Sequence, residues 1–124
     1  MTPDAFVAEL DTLTQQALDR LGAAATAGEP AAELTVAALL KLALKNEIEA
    51  AEIAARWMAD TPELEVKLAL ARQAGDEAKH YRLIEERLAA LGVPPGSVDP
   101  LADGYSPLYQ YLARLPTTVE RVAA

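Results

Sequence analysis

The sequence predicts an all-α chain, and three observations carry that expectation. Apolar residues recur at three- and four-residue steps over long stretches, the period of a helix with one buried face. Ala and Leu dominate while aromatic residues make up only 5% of the chain, a composition that favours helices over strands. Clusters of Gly and Pro separate the periodic stretches and so punctuate them. At 124 residues, 52% of them hydrophobic, the chain is sized for one domain with a buried core. Its expected parts are an N-terminal helix over 1–28, a helical hairpin over 32–91 and a C-terminal helical segment over 106–124.

The net charge of −8 argues against nucleic acid as a partner and mildly favours attraction of cations, although it also serves solubility. With no cysteine there is no disulfide framework and no thiolate ligand. No stretch is long or apolar enough for a membrane span or a secretory signal, so neither a membrane nor export is expected and a cytoplasmic location is the default.

The N-terminal helix starts with Thr2 as cap, Pro3 in the first turn and Asp4 near the positive end of the dipole. Phe6, Leu10, Leu13, Ala17 and Leu21 mark one face, and the pattern is lost between Gly22 and Gly28, ahead of Pro30. Its expected task is to cover the hairpin or a subunit interface, with binding of a protein partner as the alternative.

In the hairpin, two helical patterns flank Asp60-Thr61-Pro62-Glu63, where Thr61 suits an N-cap and Pro62 a first helical position. The first stripe comprises Leu40, Leu44, Glu47, Ala51, Ala54 and Met58; the second comprises Val66, Leu70, Gln73, Glu77, Tyr81, Ile84 and Leu88. Glu47 lies fifteen residues before Pro62 and Glu77 fifteen after, so both carboxylates sit roughly 22 Å from the turn, at one level. His80, the only histidine, borders the second stripe one turn beyond Glu77. Two carboxylates and an imidazole therefore point between the helices.

Burying ionised carboxylates in an apolar seam costs several kcal/mol unless a cation pairs with them, and no Lys or Arg occupies these stripe positions. A metal ion would supply the charge, and oxygen-rich ligation with one imidazole suits iron or manganese. Glu49, Glu52, Glu63, Glu65, Asp76, Glu85 and Glu86 read mostly as solvated charges, helped by Lys45, Arg72, Lys79 and Arg82 at helical spacings. Tyr81 and Trp57 read as packing residues, with electron transfer the alternative role for a tyrosine beside an iron ligand. Gly75, two residues before Glu77, either makes room for a crossing helix or is incidental.

After the hairpin, Gly92-Val-Pro-Pro-Gly reads as a glycine C-cap and a firm boundary, and Ser106-Pro107 as a second cap with a first-turn proline. Leu108, Tyr111, Leu112 and Leu115 are the expected apolar face before Pro116, and a further helix begins at Thr118.

A Glu on one helix followed by Glu-x-x-His on its hairpin partner resembles half the ligand set of the ferritin-like di-iron carboxylate proteins. Glu47, Glu77 and His80 match that half set residue for residue, over roughly residues 34 to 91. The thirty-residue spacing looks most like the encapsulated ferritins, in which one hairpin per chain builds the di-iron site across a dimer interface.

That resemblance implies a ferritin-like antiparallel hairpin with an N-terminal helix, completing a four-helix bundle by dimerisation. It implies two iron ions per paired site, manganese being possible, with Glu47, Glu77 and His80 as metal ligands and catalytic residues. It implies oxidation of ferrous iron by dioxygen or peroxide, for iron storage or detoxification, in a homodimer or higher homo-oligomer. Rubrerythrin-like relatives carry two hairpins, so the chain reads either as a single-hairpin form or as the front half of a longer protein. No cargo-peptide extension of the encapsulated kind is recognisable, which leaves enclosure in a protein shell without a tail motif. Two other functions stand beside this one: a di-iron oxygenase or peroxidase acting on another substrate, and a non-catalytic helical interaction module. The lack of a serine or cysteine at helical spacing from His80 argues against nucleophilic hydrolysis.

Overall fold

The computed structural model describes residues 1–27 and 35–124, and all regular secondary structure among them is helical. The elements are α1 (Pro3–Ala27), α2 (Val36–Asp60), α3 (Leu64–Ala90), α4 (Pro107–Leu112) and α5 (Thr118–Ala123). The chain divides into two compact units, Met1–Leu34 and Thr35–Ala124.

In the first unit α1 opens as its sequence predicts. Thr2 Oγ1 accepts the backbone N–H of Ala5 at 3.2 Å, and Asp4 sits in the first turn. The helix continues through Gly22 to Ala27, the later limit of the expected end. Phe6, Leu10, Leu13 and Leu21 are exposed. Gly28, Pro30 and the expected start of the hairpin at Ala32 lie outside the described residues.

The second unit is built on α2 and α3, packed antiparallel. Thr35 caps α2 by accepting the N–H of Ala38 at 3.1 Å. The turn differs from expectation. Thr61 does not start α3; it closes α2, its Oγ1 donating to the Trp57 carbonyl at 2.7 Å from a site that is 1% exposed. An extended backbone is favoured at Thr61 because a proline follows, and that places its hydroxyl over the last helical turn. Glu63 is then the cap residue of α3, with no side-chain cap bond. Lys67 Nζ donates to the carbonyls of Met58 at 2.8 Å and Ala59 at 3.3 Å, putting a cation on the negative end of α2.

At its far end α3 finishes as predicted on Gly92. The N–H groups of Gly92 and Val93 return to the carbonyls of Ala89 and Leu88, both at 3.0 Å, and Gly92 takes φ 87°, which only glycine adopts without strain.

Leu44 and Leu88, each 2% exposed, seal the seam near this end, while Ile53, Ala54, Trp57 and Leu70 fill it near the turn. Burial of each large side chain contributes about 1.5–3 kcal/mol. Leu44, Ala54, Leu70 and Leu88 belong to the stripes read from sequence, whereas Met58 and Gln73, also placed there, are exposed.

From Val93 the chain turns back and runs along α2 as a strap. Lys45 Nζ donates to the Gly104 carbonyl at 2.6 Å, and Glu49 accepts from Ser106. Tyr105 stacks on Tyr109 at 4.2 Å, its phenol held above the ordinary value chiefly by Glu52, and the Arg56 guanidinium lies 6.0 Å from the Tyr109 ring. Further on, Trp57 Nε1 donates to the Leu112 carbonyl at 3.2 Å and Arg121 to Thr61 Oγ1 at 3.3 Å. Lys45, Glu49, Glu52 and Arg56, four and three residues apart, thus form a polar stripe on α2 under the strap. Solvation was the expectation for the first three, and Glu49 is instead 7% exposed.

Ser106 caps α4 as predicted, accepting the N–H of Tyr109 at 3.1 Å. Half of the expected apolar face packs as predicted, since Leu112 and Leu115 lie against the core. Leu108 and Tyr111 are exposed, and Tyr109, at 6%, enters the core with Leu112 beside it. The bond from Ser106 to Glu49 fixes the rotation of this six-residue helix, and that rotation turns Tyr109 inward. Thr117 and Glu120 close a capping box on α5, and Thr118 Oγ1 donates to Glu63 at 2.7 Å.

Candidate metal centre

Glu47 is carried by α2 and Glu77 and His80 by α3, on the facing sides of the pair. One ligand atom from each lies within 4.8 Å of the other two, so the antiparallel turn does bring the two glutamates to one level. His80 Nδ1 is 3.0 Å from Glu77 Oε2 and 3.3 Å from Glu47 Oε2. The glutamate side chains are 23% and 19% exposed and the histidine 54%, so the carboxylates sit in the seam and the imidazole forms an accessible rim. Among the described residues this is the one group of three or more His, Asp and Glu side chains close enough to share an ion.

The electrostatics show a site short of positive charge. Burial pushes the Glu47 carboxyl above the usual carboxylate range; hydrogen bonding to Glu77 and the proximity of its charge push the same way, against His80. The His80 imidazole is held above its ordinary value by the hydrogen bond to Glu77, with desolvation opposing and the Glu47 charge assisting. Both shifts favour the protonated forms of Glu47 and His80. With its hydrogen on Nε2 instead, the imidazole would turn the Nδ1 lone pair toward the two carboxylates, which is the arrangement a metal ion requires.

Beside the cluster opens a cleft of about 340 Å³ that Glu47 and Glu77 share with Ile48, Ala51, Ala78, Tyr81, Arg82 and Glu85. Glu85, a solvated charge by its sequence position, is instead half-buried and paired with Arg82 at 2.7 Å. Its spacing of four and four from Glu77 through Tyr81 is the signal that places it on this face. Tyr81 is half-buried, and burial raises its phenol above the ordinary value. The surface pairs Asp76–Lys79 at 3.0 Å and Asp76–Arg72 at 3.6 Å form as their spacing predicts. Gly75 has nothing within 4 Å of where a Cβ would stand.

The donor set, two carboxylates and one imidazole with no sulfur, is of the kind that suits an iron or manganese ion once His80 Nδ1 is free of its proton. It offers three protein ligands, fewer than two ions need. Compared with protein-family models, with curated proteins and with solved structures, the chain matches none.

Proposed function

We propose that this chain is a ferritin-like di-iron protein that oxidises ferrous iron, its site completed by a second copy. The observation that carries the reading is the meeting of Glu47, Glu77 and His80 within 4.8 Å across an antiparallel pair, the half set of ligands that a di-iron carboxylate centre doubles. A raised Glu47 pKa supports it, because a carboxylate that resists ionisation alone is one that a cation would stabilise.

The residues divide the work by position. Glu47 and Glu77, held in the seam by α2 and α3, supply the negative charge and the oxygens, and their symmetry mates would double the set. His80, on the rim, releases its proton from Nδ1 and presents that nitrogen. Ala51 and Ala78 leave room beside the carboxylates, so the cleft can admit a small oxidant. Ferrous iron held by these residues would supply the redox chemistry, each ion losing one electron to dioxygen or peroxide.

Metal analysis of protein purified without chelator, with its mass in solution, tests the reading. About one iron per chain is expected in a dimer or larger oligomer. Glu77→Ala should lose that iron while keeping its helical content. A chain that binds no metal after anaerobic ferrous loading, with an oligomer unchanged in Glu77→Ala, overturns the proposal and leaves a helical interaction module. Metal bound without ferrous oxidation would make the site structural.

A further inference from the structure

On the side of the α2–α3 pair that carries the strap lies a second cleft, of about 350 Å³, walled by Ile53, Trp57, Tyr109 and Leu112. Its volume is within the range of small-molecule sites, and its walls are mostly apolar. At its edge stand the amides of Asn46 and Gln73 and the carboxylate of Glu49. No Lys or Arg lines it.

Glu49 is the informative residue. It is 7% exposed, and its two oxygens accept only neutral donors, the N–H and the hydroxyl of Ser106. None of the ion pairs formed among the described residues includes it. A buried carboxylate is normally matched by a cation as well as by hydrogen bonds, and each of these oxygens keeps further lone pairs for another donor. The Trp57 ring in the same walls also favours a cation, whereas the Tyr109 ring already has Tyr105 stacked at 4.2 Å and the Arg56 guanidinium 6.0 Å from its centre.

We propose that this cleft is a binding site for a small organic ammonium ion, with an aromatic or branched aliphatic body against Trp57 and Tyr109 and its charged nitrogen on Glu49. The site is separate in its residues from the Glu47, Glu77 and His80 cluster, and the proposal does not depend on that cluster binding metal.

Trp57 is the only tryptophan, so its emission reports on the cleft directly. The full chain would be titrated with phenethylammonium and, separately, with 2-phenylethanol, which has the same ring and chain and no charge. A saturable emission change is expected for the amine at affinity about tenfold or more above the alcohol, the ratio set by a hydrogen bond to a charged group. Glu49→Gln should bring the amine down to the alcohol. Equal affinity for the two, no saturation by the amine, or an unchanged preference in Glu49→Gln overturns the proposal. If Glu49→Gln loses its helical circular dichroism, the comparison of amine with alcohol on the unaltered chain decides alone. Each titration is repeated with EDTA, and an amine response that EDTA abolishes would assign the amine to bound metal and overturn the cleft.

Discussion

Glu49 receives both polar hydrogens that Ser106 can offer, the backbone N–H and the hydroxyl, each at 2.6 Å. The pairing ties the first turn of α4 to the middle of α2, two residues from Glu47. It therefore links the segment that covers the hairpin to the helix that carries Glu47, and it accounts for the rotation that buries Tyr109.

Breaking that link should be costly. Ser106→Ala removes a charge-assisted bond and the side-chain cap of α4 while leaving the backbone bond, so we expect a loss of about 2–3 kcal/mol in urea unfolding. A loss below about 0.5 kcal/mol would show that the Ser106 hydroxyl contributes little to holding the strap.

Gly75 gives the opposite sign. It lies inside α3 with open space where a Cβ would be, so Gly75→Ala should raise the stability of the hairpin by about 1 kcal/mol. If a second copy packs against this part of α3, the same substitution would weaken association. Thermal unfolding read together with sedimentation separates the two effects.

Metal binding should compete with protons. His80 must give up the proton that Glu77 and Glu47 help it hold, and Glu47 the one that burial favours. Both pKa values are raised, so affinity for manganous or ferrous ion should climb as pH rises from about 4.5 through 6.5 and beyond, and should level only above the raised His80 value. For the metal-free chain the sign reverses. A group with a raised folded-state pKa contributes stability that is complete below its unfolded value and lost as pH rises through the folded one, so these two residues favour the fold more at the acid end of that window. Calorimetric titration at several pH values reads the first effect, and a flat affinity across the window would contradict it.

Glu47→Ala and Glu77→Ala should abolish metal binding while leaving the metal-free chain as stable as before, or more so. Each removes a like-charged neighbour from the seam, and sites assembled for ligands are commonly less stable than apolar replacements. Unfolding in the presence of chelator, where a loss above about 2 kcal/mol is the contrary result, checks this.

Much of this was legible in the sequence because it rests on local rules. Thr2 and Ser106 as caps, Gly92 as a helix stop, and the level meeting of Glu47 with Glu77 follow from capping chemistry and a fixed rise per residue. The burial of Glu49 did not, since an acidic residue at helical spacing looks solvated until the segment that covers it, more than fifty residues on, is placed. Thr61 was misplaced by one helix because its hydroxyl can serve the helix before it as readily as the one after. At α4, Leu108 and Tyr111 carried the expected period, yet six residues are too few for period alone to fix a rotation.

The strap has a kinetic meaning as well. Its bonds from Lys45 to Gly104, from Ser106 to Glu49, from Trp57 to Leu112 and from Arg121 to Thr61 all span 55 to 60 residues of chain, whereas α2 and α3 meet across a short turn. Closing the longer loops repays its entropy only when α2 already exists as a surface to close upon. The hairpin is then the early event of folding and the strap the late one, so lesions at Ser106 should quicken unfolding and leave the refolding rate nearly untouched.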